Sequence, residues 1–105
     1  MTTGQVTRTF LLKANLAGTE GVMMEVEVPP GGHVEKHSHP GYDLFYVLAG
    51  RGVLEVEGRE PMLLEPGRAV YIEPNLEHCA VNTDPDRPLK VVALWIGGQE
   101  ARPAA

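Results

Sequence analysis

A single cysteine, Cys79, in 105 residues leaves no partner for an internal disulfide and no thiolate set for a zinc cluster. A reducing, cytoplasmic setting is therefore the expectation. No apolar stretch approaches the ~18 residues of a membrane-spanning helix. The opening segment, Met1 to Phe10, lacks a basic stretch followed by an apolar one, so neither a signal peptide nor membrane association is expected. Basic residues number 9 against 14 acidic ones, for a net charge of −5, and they form no run. Nothing in the chain would neutralise a phosphate backbone, which argues against nucleic acid as a partner. No amphipathic helix can be found, which excludes a helical bundle and an appended helix-turn-helix.

What is present is punctuation between short apolar runs. Twelve glycines and nine prolines make up about a fifth of the chain, too spread out for low complexity. Between them, residues alternate with the period of two that marks half-buried strands. Val22, Met24, Val26 and Val28 share one face while Glu25 and Glu27 share the other, and Pro29-Pro30-Gly31-Gly32 closes the run. Tyr42 to Leu48, Leu54 to Val56, Met62 to Leu64, Ala69 to Ile72, His78 to Asn82 and Leu89 to Ile96 read the same way. Glu65-Pro66-Gly67-Arg68 places proline and glycine where a type II turn needs them. Gly31 and Gly32 are expected to supply positive φ, and Gly50 and Gly52 a hairpin.

Turns at this spacing predict an all-β sandwich or barrel. The length suits one domain over residues 1–105, with a core over 22–96 and a tail over 97–105. Val6 to Lys13 could pair within the chain or across a dimer. A flat sheet would expose long edges, so closure or edge-to-edge dimerisation is expected.

Histidines carry the chemistry. His37 and His39 are two apart and point to one side of an extended chain, and Asp43 has the same parity. His78 comes some 35 residues later, on a strand that can lie ~4.8 Å from its neighbour. Three imidazoles and one carboxylate make a mixed site for one divalent transition metal ion, Fe, Mn, Ni, Cu or Zn, with coordination positions left open. Surface histidines in a loop are the plain alternative.

The register of these residues resembles a known family, the cupins. The first cupin motif reads G-x5-H-x-H-x3-E-x6-G, and Gly31, His37, His39, Asp43 and Gly50 fall on it, with aspartate where the family has glutamate. The second ends P-x-G-x2-H-x3-N. Pro74, His78 and Asn82 match it, with the proline-to-histidine spacing one shorter and the glycine missing. The resemblance spans about Val22 to Ile96 and implies a double-stranded β-helix, usually a homodimer, with a metal inside one end. It carries the ligand positions over to His37, His39, Asp43 and His78. Aspartate is a methylene shorter than glutamate, so Asp43 would ligate directly only from a closer strand, or act through water.

Parity also suggests pocket walls. Phe45 and Val47 share a face with Asp43, Met24 lies on the apolar face of its strand, and Trp95 shares parity with Ala93 and Val91. Barrel core, or a dimer contact for Trp95, is the bland reading. Asn82 shares parity with His78 and would either steady the site by a hydrogen bond or cap a turn. His33 is expected on the surface, and Cys79 pointing away from the ion. Tyr42, Tyr46 and Tyr71 offer hydroxyls without a clear role, and no general base stands out.

Three functions compete on this reading. One is a metalloenzyme acting on a small organic substrate by dioxygenase, decarboxylase, lyase or isomerase chemistry. The others are a small-molecule sensor without chemistry and a dimer that a metal merely stabilises.

Overall fold

Proline and glycine cut the chain where the alternation breaks, and eight strands fill the intervals. A computed structural model describes residues 5–97. The strands are β1 (Thr7–Leu16), β2 (Thr19–Val28), β3 (Tyr42–Ala49), β4 (Gly52–Val56), β5 (Met62–Leu64), β6 (Ala69–Ile72), β7 (His78–Asn82) and β8 (Leu89–Ile96). Among the described residues there is no helix. The expected tail lies outside them from residue 98 onward. Its first residue, Gly97, is buried, and its N–H donates to the Glu20 carbonyl at 2.9 Å.

Antiparallel pairing builds a five-stranded sheet in the order β1-β2-β8-β3-β6 and a three-stranded sheet in the order β5-β4-β7. Their inner faces enclose the core of a double-stranded β-helix. Val28, Val47, Leu54, Leu64, Ile72 and Leu89 are almost wholly buried there. Each alternates with more exposed neighbours, so period two in the sequence becomes inside and outside in the barrel.

The first segment pairs within its own chain. A two-residue turn at Ala17-Gly18, both with positive φ (57° and 94°), joins β1 to β2 as a long hairpin. A bulge between Phe10 and Leu12 interrupts the register. Arg8 and Phe10 pair with Val26 and Met24 of the inner face, whereas Leu12 pairs with the outward Met23. One row across the outer face of the sheet is apolar as well. Leu12, Met23, Leu94, Leu44 and Tyr71 are successive partners across all five strands, and Tyr42 stacks on Tyr71 beside them.

Two glycine expectations change. Gly31 does take a positive φ of 69°, but Gly32 does not. Gly52 is required by close approach instead of φ, because a Cβ there would run into the Val81 carbonyl of the paired strand. Between β2 and β3 the chain is irregular, and its backbone pairs with β7 at the isolated bridges His33↔Val81 and His37↔His78. His37 and His39 therefore sit on an extended loop, not on a strand.

Candidate metal centre

That loop brings the histidines together. His37 and His78 face each other as a backbone pair, each N–H donating to the other's carbonyl at 3.1 and 2.8 Å. Their rings are 4.5 Å apart, and the His39 ring lies 5.3 and 5.2 Å from them. The loop is held from the other side by the Asn75 N–H, which donates to the His39 carbonyl at 2.9 Å. Asn75 itself makes a left-handed turn, with φ 67°.

Every imidazole is oriented in the same manner. His37 Nδ1 lies 2.7 Å from the Glu35 carbonyl, His39 Nδ1 2.9 Å from that of Pro40, and His78 Nδ1 2.8 Å from that of Leu76. A carbonyl only accepts, so each Nδ1 carries the hydrogen and each neutral ring keeps Nε2 as a bare lone pair. One nitrogen from each ring lies within 4.8 Å of the other two, close enough for the three to hold one ion. Asp43, buried at the start of β3, brings Oδ2 to 2.9 Å from His39 Nε2 and 3.3 Å from His78 Nε2. Aspartate thus reaches the cluster despite its shorter side chain.

The donor set fits a cation. Lone pairs facing a carboxylate oxygen at these distances repel unless a proton or metal lies between them. Ligands that share one ion would stand about 3–3.5 Å apart, and the separations of 2.9 and 3.3 Å from Asp43 Oδ2 are of that size. His78 Nε2 is also the one buried side-chain polar atom of the described residues without a hydrogen bond, an omission that bound metal would remove. Burial opposes charge on His78, but Asp43 and the Leu76 carbonyl outweigh it and raise its pKa above the ordinary histidine value.

The cluster opens into a cavity of about 410 Å³ whose other walls are mainly apolar. Met24, Phe45 and Trp95 line it. Val47 and Asn82 do not, although the sequence places them there. Val47 has the right parity but is completely sealed in the core. Asn82 is a turn cap: its amide nitrogen lies within 3.1 Å of the Val28, Pro29 and Arg87 carbonyls, and its Oδ1 accepts from the Asp84 N–H at 2.8 Å. Cys79 turns away and donates its S–H to the Val34 carbonyl at 2.9 Å, and burial raises its pKa. His33 is exposed and away from the cavity, and the three tyrosines lie on the outer surface.

Trp95 does more than form a wall. Its indole N–H donates at 2.8 Å to the Pro40 carbonyl that also accepts from His39. Gly41 permits this contact, with φ 89° and no room for a Cβ against the indole and the Ile96 carbonyl. The sequence reading missed Gly41, as well as Arg8 and Phe10, which line the cavity from β1. The Pro40-Gly41 pair and the alternation of Arg8 with Phe10 were the available signals.

Fold and site together define a β-barrel with three histidines placed to hold an ion, and residues 24–97 match the model of the Cupin domain. The chain belongs to the cupin family. It is 32% identical over 78 residues to dimethylsulfoniopropionate lyase DddQ of Ruegeria pomeroyi, covering 74% of this chain and 38% of that enzyme. The crystal structure of that lyase superposes with a TM-score of 0.69 at 30% identity, over 76% of this chain and 40% of the other. This chain therefore spans about two-fifths of the lyase. A Cupin 2 conserved barrel domain protein from Salinispora arenicola gives a TM-score of 0.70 at 26% identity, over 86% and 74% of the two chains. A double-stranded β-helix protein from Klebsiella pneumoniae gives 0.77 at 24% identity, over 96% and 84%, a likeness of fold.

Proposed function

We propose that this chain is a metal-dependent enzyme acting on a small organic substrate, with His37, His39, His78 and Asp43 as ligands of one divalent transition metal ion. The observation that carries the reading is the set of three imidazoles, each fixed through Nδ1 and presenting Nε2 beside Asp43 at an apolar cavity. Such a cavity takes the apolar part of a substrate while its few polar groups fix orientation. A bound metal would supply Lewis acidity, polarising a substrate oxygen and stabilising developing negative charge. Phe45 and Trp95 would exclude water around that oxygen. Among dioxygenase, decarboxylase, isomerase and lyase chemistry, similarity to a lyase favours the last.

A sensor without turnover is the second reading. It is favoured by the scarcity of acid–base groups, since among the described residues, apart from the four proposed ligands, the only titratable side chain lining the cavity is Arg8. We further propose that the apolar outer face of the five-stranded sheet pairs with a second copy of the chain.

Elemental analysis of untagged protein purified without added metal tests the site. The expected result is about one transition metal per chain, lost in His37→Ala and His78→Ala and kept in His33→Ala. Retention in both ligand variants, or no uptake by the native chain when metal is supplied, overturns it. Turnover of a lyase substrate panel by the loaded protein then separates enzyme from sensor.

A further inference from the structure

We propose that Arg8 anchors a carboxylate, so that the cavity takes organic acids with an apolar body whose far end meets the histidine cluster. Among the described residues Arg8, exposed on β1, is the only lysine or arginine that lines the cavity. It has no hydrogen bond or ion pair among the described residues, unlike Lys13 further along the strand, which pairs with Glu20 at 3.2 Å. An unpaired guanidinium at the edge of an apolar chamber is a bidentate receptor for a carboxylate. Asp43 does not neutralise it, because that carboxylate is engaged with His39 and His78.

Register sets the length of the ligand. Arg8 pairs with Val26, and Val26 with Val91, whereas Asp43 pairs with Trp95, and Trp95 with Val22. The two rows are four residues apart on β2, roughly 13 Å along the strand, and β1 and β3 are three strand spacings apart, roughly 14 Å across the sheet. Val22, Val26, Val91, Ala93 and Trp95 line the space between them. Even with the reach of an arginine side chain, the two poles suit a chain of several carbons, not a molecule that places its carboxylate on the ion.

The inference deepens the reading of the site as a substrate pocket, and its test separates the two. Binding of the straight-chain acids from butanoate to octanoate, and of their primary amides, is measured by calorimetry on metal-loaded and chelator-treated protein. Arg8→Gln and Arg8→Lys are run beside the native chain, with metal content determined for each. The native chain should prefer acid over amide by about ten-fold or more for at least one length, with or without metal. Arg8→Gln should lose that preference and Arg8→Lys recover part of it, with metal content unchanged. An unaltered preference in Arg8→Gln, no preference in the native chain, or a preference that disappears on chelation overturns the assignment. Failure of the metal reading would show instead as absent metal, while the acid preference of chelated protein stands.

Discussion

The Pro40 carbonyl is the residue-scale hinge of the site, accepting from the rings of both His39 and Trp95. It fixes the tautomer of one proposed ligand and ties the ligand loop to β8. Groups that orient a metal-bound histidine typically influence affinity by 10–100-fold. Trp95→Phe keeps an aromatic wall but removes the N–H. It should weaken metal binding by about ten-fold and cost about 1 kcal/mol of stability, read by chelator competition and thermal melting. Gly41→Ala should cost more, because its φ of 89° and the Ile96 carbonyl 2.9 Å from a Cβ leave no relaxed alternative.

Protonation of the cluster gives a second prediction. In metal-free protein the raised pKa of His78 means that its charged form is stabilised by folding. That contribution is complete below the unfolded pKa of about 6.5 and is lost as pH rises through the folded value. Metal needs the neutral ring, so metal-loaded protein should gain stability over the same rise. Melting temperatures measured from pH 5 to 8 should therefore fall with pH after chelation and rise with pH in the loaded state. Parallel slopes would mean that His78 does not bind the ion.

At the scale of elements, seven strands were legible because alternation and turn residues agreed from β2 through β8. Asp43 and the three histidines were legible as a group for a different reason. Their parity survives an irregular loop that happens to stay extended. The first strand was not legible in full, because Phe10-Leu11-Leu12 is a continuous apolar run and the bulge there switches faces between Phe10 and Leu12. Parity also says nothing about depth along a strand, which is why Val47 and Asn82 were placed in the pocket. The bulge makes a deletion experiment possible. Removing Leu11 leaves Phe10 opposite Met24 and Leu12 opposite Met23 in an unbroken ladder, so Arg8 stays opposite Val26 at the cavity. Removing Thr9 moves Arg8 opposite Glu25 on the outer face, by the rule that a one-residue slip reverses side-chain direction. Acid binding should survive the first deletion and be lost in the second, with metal content unchanged in both.

At the scale of the molecule, an antiparallel sheet with one face in the core normally turns a polar face to water. Here a row from Leu12 on β1 to Tyr71 on β6 is apolar in every strand, with Tyr42 and Tyr46 beside it. Five strands at ~4.8 Å spacing give an apolar footprint about 24 Å long, larger than isolated surface hydrophobes produce. It widens on β3, where Tyr42, Leu44, Tyr46 and Leu48 are all exposed, and is bounded on β2 by Glu25. A two-fold axis near the contact of Leu94 with Leu44, at the middle of the row, would set like side chains against like, and a second copy would bury the face without any new chemistry. The footprint sits at the low end of specific interfaces, so the dimer should be concentration-dependent. Light scattering should find a dimer of the native chain at micromolar concentration. Leu44→Asp, at the centre of the face and remote from the cavity, should yield a folded monomer that binds metal as the native chain does. A native chain that remains monomeric at high concentration, or a Leu44→Asp variant that remains dimeric, would show that this face is not where two copies meet.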